Sequence, residues 1–379
     1  MVSRMQFGAT ALAASRVLNH HRSTSSQVTA IFGGADCQSA VSPTGSRRTS
    51  ADYQYATNPD RSGRYFACGS ATLREYRCVL ACALALVLTS GCSIRRIAVN
   101  KLGDALAAGG TTFASDDDPE LVKAAVPFSL KLMESLLAEN PRHKGLLFAT
   151  ASGFTQYSYA FVQQQADELD AEDLAAATEI RTRARKLYIR ARNYGLRGLE
   201  LNHRGFETAL RDDPKSAARR TGVGDVPLLY WTAVSWAAAI SVSKDNPDLI
   251  ADLPIVETLI DRALELNEQY EHGAIHSFLI TFEMSRQGAA GDPEARARGH
   301  FERAVELSGG QLAGPFVALA ESVAVQKQKL TEFKSLLNRA LAIDPDARPE
   351  LRLVNLIMQR RARWLLSRTD ELFLMSENE

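Results

Sequence analysis

The sequence has 379 residues, of which 45% are hydrophobic and 23% are charged, and its 44 basic and 44 acidic residues give no net charge. The charge is unevenly spread, because residues 1–91 hold nine arginines against four acidic residues and leave 35 basic and 40 acidic residues for the remainder. This composition is that of a soluble globular protein, and it argues against a nucleic-acid-binding protein, which needs a concentrated basic surface.

Residues 1–72 are rich in serine, threonine, arginine and glycine and have little apolar periodicity. Such a segment cannot bury enough apolar surface to offset the entropy lost on ordering. We therefore predict that residues 1–72 are disordered, or that they precede the true start of the protein, which we place near Leu73.

Residues 73–91 have the organisation of a signal peptide. Two arginines, Arg74 and Arg77, precede ten apolar residues at 79–88, and small residues then lead to Cys92. Ten helical residues span roughly half of a ~30 Å hydrocarbon core, which is too short for a transmembrane helix. The alternative is a short buried helix.

The position of Cys92 directly after small residues resembles the lipobox of bacterial lipoproteins. The resemblance implies that Cys92 is acylated and becomes the first residue of the mature chain, anchored to a membrane. Thr89 departs from the pattern, which usually has a branched aliphatic residue at that place. All five cysteines lie at or before residue 92, so residues 93–379 cannot contain a disulfide framework, a zinc ribbon or a thiol active site.

Residues 92–379 are predicted to form a single α-helical domain with a core at about 95–373, because apolar residues recur at spacings of three and four. Turn and capping residues mark helix boundaries. These signals are Asp118-Pro119, Asn140-Pro141, the glycines at 222–225, Asn246-Pro247, 288–293, Gly309-Gly310 and Asp344-Pro345.

A weak repeat is visible at three predicted helix ends, 261–267, 302–308 and 338–344, which are spaced 41 and 36 residues apart. Each contains Arg-Ala followed by an aliphatic residue, and 133–141 is a more distant fourth example. Tetratricopeptide repeats have a 34-residue period and similar helix ends. We predict an all-α, degenerate tetratricopeptide-like array of helix hairpins, an α-solenoid with extra capping helices.

The sequence contains no phosphate-binding glycine loop, nucleophile elbow or HExxH motif, so we predict neither an enzyme nor a cofactor. His272 and His276 are four apart on a predicted helix and would share a face, but they lack a third ligand, so we predict no metal site. Acidic residues at 116–118 are explained by helix capping. The arginines of 181–197 are interpreted as a solvated helix face.

Two dense aromatic groups occur at 154–161 and 230–236, the second within the uncharged run 226–242. Such a run predicts a buried helix. The aromatic residues either pack in the core or line an apolar ligand pocket, where Trp and Tyr offer rigid area and a polar handle. The candidate pocket residues are Tyr157, Phe161, Tyr230, Trp231, Trp236 and Phe278.

Several long stretches, in order, resemble the T-component (TatT) family of tripartite ATP-independent periplasmic (TRAP) transporters. They are YSYAFVQQQAD (157–167), RARKLYIRARNYGLRGLE (183–200), VPLLYWTAVSWAAAIS (226–241), HFERAVELSGGQLAGPFVALAESVAVQKQ (300–328) and FKSLLNRALAID (333–344). The resemblance runs from about Ser93 to Phe373.

The family resemblance implies a tetratricopeptide-like periplasmic lipoprotein that binds the solute-binding P subunit of a TRAP transporter. It also implies a homotrimer and a hydrophobic small molecule that is bound or passed to the P subunit. We expect anchoring at a membrane, the outer one in preference to the inner, and no nucleic-acid partner. The alternative function is a structural or assembly lipoprotein that uses the same helical surface as a scaffold.

Overall fold

The computed structural model describes residues 100–106, 110–286 and 288–374, and most of these residues are helical. No strand occurs in these three ranges, which confirms the predicted all-α class. The predictions for residues 1–72, for the segment 73–91 and for Cys92 lie outside the described residues. The domain boundary at residue 92 therefore stays a prediction.

Residues 100–106 are helical, and the helices that follow are numbered in chain order. They are α1 (Gly110–Ala114), α2 (Pro119–Glu139), α3 (Lys144–Tyr157), α4 (Gln164–Leu169), α5 (Leu174–Glu200), α6 (Phe206–Asp212), α7 (Pro214–Arg219), α8 (Val226–Ser241), α9 (Pro247–Ala251), α10 (Leu253–Leu266), α11 (Ala274–Glu283), α12 (Pro293–Ser308), α13 (Gly314–Leu319), α14 (Leu330–Leu341), α15 (Arg352–Ser367) and α16 (Thr369–Leu372).

Two π-helical turns and four short 3₁₀ turns supplement these helices. The π turns are Ser158–Gln163, which joins α3 to α4, and Ala320–Ala324, which extends α13. The 3₁₀ turns are Val223–Asp225, Tyr270–His272, Pro345–Ala347 and Pro349–Leu351. A π turn is a rare interruption of an α-helix and often occurs at a functional position.

Helix boundaries follow the predicted capping residues. The Asp118 carboxylate accepts hydrogen bonds from the backbone N–H groups of Glu120 and Leu121, each at 3.0 Å, so α2 begins at Pro119. Asn246 caps α9 and Asp292 caps α12 in the same way. Side-chain acceptors of this kind satisfy N–H groups that have no partner within the helix.

The three Arg-Ala segments all lie at helix ends, as predicted. They close α10, α12 and α14, and their alanines, Ala263, Ala304 and Ala340, are fully buried. Gln359 of α15 caps the third of these ends, because its side-chain amide donates to the carbonyl groups of Ala340 and Ile343 at 3.1 and 2.7 Å. The tetratricopeptide-like repeat itself stays a prediction.

Helix α8 lies at the centre of the larger hydrophobic core, packed against α3, α5 and α10. This confirms that the run 226–242 forms a buried helix, since most side chains of α8 are buried. By length and composition, Val223–Ser241 is also the one described helix that could cross a membrane, but 67% of the apolar window lies inside the fold. Its burial is that of a core helix.

A second core forms around α13, with side chains from α11, α12, α14 and α15. Helix α15 also returns to the N-terminal part of the domain, where the Arg352 guanidinium donates to the Ser115 carbonyl group at 2.8 Å. Ile357 of α15 belongs to a third hydrophobic cluster with Phe154 and Tyr188. The last long helix thus connects the first described helices to the C-terminal core.

Candidate functional site

The predicted pocket residues near α8 belong to one hydrophobic core. Tyr230 and Trp231 have ring centroids 5.0 Å apart, and Tyr230 lies 5.4 Å from Tyr270 in the turn that precedes α11. We call these three residues the Tyr230 cluster. Phe278 of α11 packs on the same core, with its ring centroid 5.3 Å from Phe282.

The Tyr230 cluster contains a buried polar group without a partner. Tyr270 is 9% exposed, and its hydroxyl makes no hydrogen bond within the described part of the chain. Burial raises the pKa of the Tyr270 hydroxyl, and the nearby Trp231 side chain opposes this only in part. The hydroxyl is therefore protonated and can donate to an incoming acceptor.

The turn beside this cluster has unusual backbone conformations. Glu271, His272 and Gly273 have φ values of 46°, 56° and 86°, all in the left-handed region. For residues with side chains this conformation costs of order 1–3 kcal/mol. Packing fixes the turn, since a Cβ at Gly273 would lie 3.1 Å from Leu307.

Trp236 belongs to the same hydrophobic core and also contacts polar neighbours. Its indole N–H donates to Asp252 at 3.1 Å, and the Arg192 guanidinium lies 4.6 Å from its ring centroid. Tyr157 and Phe161 belong to a different hydrophobic cluster, with ring centroids 5.7 Å apart. The six predicted residues thus occupy two separate cores, and their role in ligand binding stays a prediction.

Two of the surface depressions in the described domain have the size of a small-ligand site, and the six predicted residues line neither of these two. The first, of about 500 Å³, lies along the end of α10 and reaches His276. The second, of about 530 Å³, lies between α5 and α9. Both are in the size range of small-ligand sites.

His276 pairs with another histidine on the neighbouring helix α12. Its Nδ1 atom lies 2.9 Å from Nδ1 of His300 on α12, so one ring donates to the other. The prediction that His272 and His276 share a helix face is wrong, because His272 lies in the left-handed turn before α11 begins at Ala274. Among the described residues, no group of three potential metal ligands is found.

A second histidine, His203, holds a carboxylate in a buried polar contact. Its Nε2 atom lies 2.8 Å from Asp225, which also accepts from Asn202 at 3.1 Å and from Lys144 at 3.3 Å. Partial burial opposes ionisation, but the hydrogen bonds, led by that of His203, lower the pKa of Asp225 to about 2. This contact joins the ends of α3, α5 and α8.

A buried ion cluster lies at the two π turns and was missed by sequence reasoning. Arg361 of α15 is 4% exposed and bridges Asp167, at 3.0 Å, and Glu321, at 2.5 Å. Asp167 follows the first π turn along α4, and Glu321 lies in the second. Although burial disfavours its charge, the two carboxylates raise the pKa of Arg361 above its usual value.

Two uncharged side chains complete the environment of this cluster. Burial raises the pKa of Tyr159 to about 12, so its hydroxyl remains protonated. Gln164 is 1% exposed, and neither atom of its amide makes a hydrogen bond with a described residue. Its amide is therefore available to a water molecule.

Comparison with known proteins assigns the chain to a family. The model of the family described as TRAP transporter T-component matches residues 115–373. An uncharacterized protein of Treponema pallidum (strain Nichols) is 31% identical over 307 residues, which cover 76% of this chain and 95% of that protein. The matched family is associated with transporters and is not an enzyme family. The chain therefore belongs to the T-component family of TRAP transporters.

Proposed function

We propose that this chain is an accessory component that binds the extracytoplasmic solute-binding P subunit of a TRAP transporter. The observation that carries the proposal is the family match over 115–373, which includes nearly all of the described helices. Family membership associates the chain with a transporter, and the P subunit is the partner that the proposed periplasmic location favours.

The proposed location is the periplasm, where acylated Cys92 holds the helical domain at a membrane. The sequence argument for the lipobox supports this anchor. Mass spectrometry of the mature protein tests it directly. A mature chain that begins with acylated Cys92 is expected, and a Cys92→Ser variant should remain unprocessed and unacylated. An unmodified Cys92 in the native protein would contradict the proposal.

A homotrimer is proposed from the family alone. Sedimentation equilibrium of the purified chain distinguishes a trimer from a monomer or dimer by mass. A single species of three times the chain mass is expected.

The chain is further proposed to bind a hydrophobic small molecule, or to pass one to the P subunit. The Tyr230 cluster supports this, because Trp231 is only half-buried and the Tyr270 hydroxyl has no partner among the described residues. Apolar area beside one unpaired polar group is typical of a site that orients an apolar ligand.

Native mass spectrometry tests ligand binding. The native protein should retain a small molecule that a Trp231→Ala variant loses. Trp364→Ala is the matched control, since Trp364 is also half-buried but packs in the other core. A ligand-free native protein in every preparation would contradict the proposed ligand.

Affinity capture tests the proposed partner. The immobilised full chain is exposed to envelope extract, beside a control bait of unrelated fold, and retained proteins are identified by mass spectrometry. Recovery of a TRAP-type solute-binding protein is the expected result. Recovery of cell-wall or assembly proteins alone would instead favour the structural lipoprotein, the alternative function.

A further inference from the structure

The depression between α5 and α9 is lined by three cationic side chains. We call it the α5 groove. Its volume is about 530 Å³, and Ile189 and Leu249 supply apolar walls. Its polar lining consists of Arg185, Lys186, Arg211, Asn246, Asp248 and Asp252.

Two cations of the α5 groove differ from the ion-paired basic residues of α5. Arg181 pairs with Asp170 at 2.5 Å, and Arg190 lies 3.4 Å from Glu134. Arg185 and Lys186, in contrast, make no ion pair with any residue in the described ranges. Arg183 and Arg197 of α5 also make no ion pair in these ranges, but they do not line the groove.

Arg192 of α5 makes no ion pair within the described ranges, although Asp252 of the groove lining acts on its charge. Its guanidinium stacks on the buried Trp236 ring and, among the described residues, hydrogen-bonds to the neighbouring Asn193, at 3.1 and 3.2 Å. Burial lowers the pKa of Arg192, and the Asp252 carboxylate opposes this. A partly desolvated guanidinium of this kind gains when an anion approaches.

The acidic residues near the groove are already partly engaged. Asp252 accepts the Trp236 indole N–H at 3.1 Å and lies 3.7 Å from Arg211. Glu207 lies 3.8 Å from the same Arg211. Asp248 is exposed in the first turn of α9, where a negative charge is favoured by the helix. An excess of positive charge, from Arg185, Lys186 and Arg192, therefore remains beside the apolar wall of Ile189 and Leu249.

We propose that the α5 groove binds a small amphipathic molecule with one anionic head. Arg185 and Lys186 hold the head group, with Arg192 behind them, and Ile189 and Leu249 contact the apolar body. Guanidinium groups suit such a head because they donate two parallel hydrogen bonds to it. This site is separate from the Tyr230 cluster and does not depend on binding of the P subunit.

Calorimetric titration of the full chain tests the proposal, with decanoate as the probe. Decanol has the same apolar body without the charge, and butyrate has the same head with a shorter body. Decanoate is expected to bind about tenfold or more tightly than either control, because charged hydrogen bonds and buried methylene groups both contribute. Binding should also weaken as salt is added.

Substitutions on the exposed side of the groove locate the site. The double variant Arg185→Gln with Lys186→Gln should lose about tenfold in decanoate affinity. Arg183→Gln is the matched control, since Arg183 is on the same helix, exposed and unpaired among the described residues, but does not line the groove. Trp364→Ala, in the other core, should leave decanoate affinity unchanged.

Two outcomes would overturn the proposal. One is that decanoate binds no more tightly than decanol. The other is that the double variant binds decanoate as tightly as Arg183→Gln does. If Trp231→Ala alone abolished binding, the probe would be entering the Tyr230 cluster, and the α5 groove would not be the site.

Discussion

Replacement of Gly195 by alanine should strain the crossing of α5 and α8, the central helix contact of the fold. A Cβ at Gly195 would lie 2.1 Å from the Thr232 Oγ1 atom, 3.1 Å from its Cβ and 3.3 Å from its Cα. The Thr232 hydroxyl cannot turn away without loss, because it donates to the Leu228 carbonyl group at 2.6 Å. The two helices would therefore have to separate.

The expected cost follows from three contributions. Overpacking of a filled core costs about 1–3 kcal/mol, and loss of the Thr232 hydrogen bond costs about 1 kcal/mol. Alanine is favoured over glycine within a helix by up to about 1 kcal/mol. Gly195→Ala should therefore lower the free energy of unfolding by about 1–3 kcal/mol.

Urea denaturation followed by circular dichroism measures this change. Gly299→Ala is the matched control, because Gly299 is inside α12 and a Cβ there would meet no atom within 4 Å. The control should raise the free energy of unfolding by about 0.5–1 kcal/mol. Thr232→Ala combined with Gly195→Ala should recover part of the loss. Equal stability of Gly195→Ala and Gly299→Ala would refute the reasoning.

Three further predictions concern buried polar groups. Arg361→Met removes the buried guanidinium that bridges two buried carboxylates and should cost about 3–5 kcal/mol in urea denaturation, whereas Arg360→Met, at a more exposed pair, should cost about 0–1 kcal/mol. Burial lowers the pKa values of His276 and His300 and so favours their neutral rings in the folded state. Their contribution to the free energy of unfolding is therefore complete above about pH 6.5, and it is lost as the pH falls through their folded-state pKa values. A His300→Gln variant should lose the part of this pH dependence that His300 contributes and keep the part from His276. The pKa of the Asp225 carboxyl is lowered to about 2, so its ionised form stabilises the fold fully above about pH 3.8 and this contribution is lost as the pH falls toward 2. An Asp225→Asn variant should lose this pH dependence of the free energy of unfolding.

Local sequence patterns predicted the parts of the fold that depend on local physics. Asp118 before Pro119 was sufficient to place the start of α2, because the cap and the helix lie within three residues of each other. The uncharged run 226–242 predicted the buried α8, since no other environment suits a helix that is apolar nearly all round. The ends of α10, α12 and α14 were predicted from the Arg-Ala segments that recur there in the sequence.

Long-range pairing of polar groups was not predictable from these patterns. Arg361 and Asp167 are 194 residues apart in the sequence, and Arg361 stands among other arginines that are typical of a solvated helix face. The arginines of α5 were interpreted in that way as a group. The structure separates them, since Arg181 is ion-paired and Arg192 stacks on Trp236. Only the packing of neighbouring helices distinguishes these positions.

The central claim, that this chain binds the P subunit, is tested most directly with two purified proteins. The full chain and a TRAP-type solute-binding protein from the same organism are mixed and examined by size-exclusion chromatography with light scattering. The account predicts a single complex whose mass includes both proteins. Separate elution of the two proteins, with both folded and the P subunit able to bind its own solute, would contradict the claim.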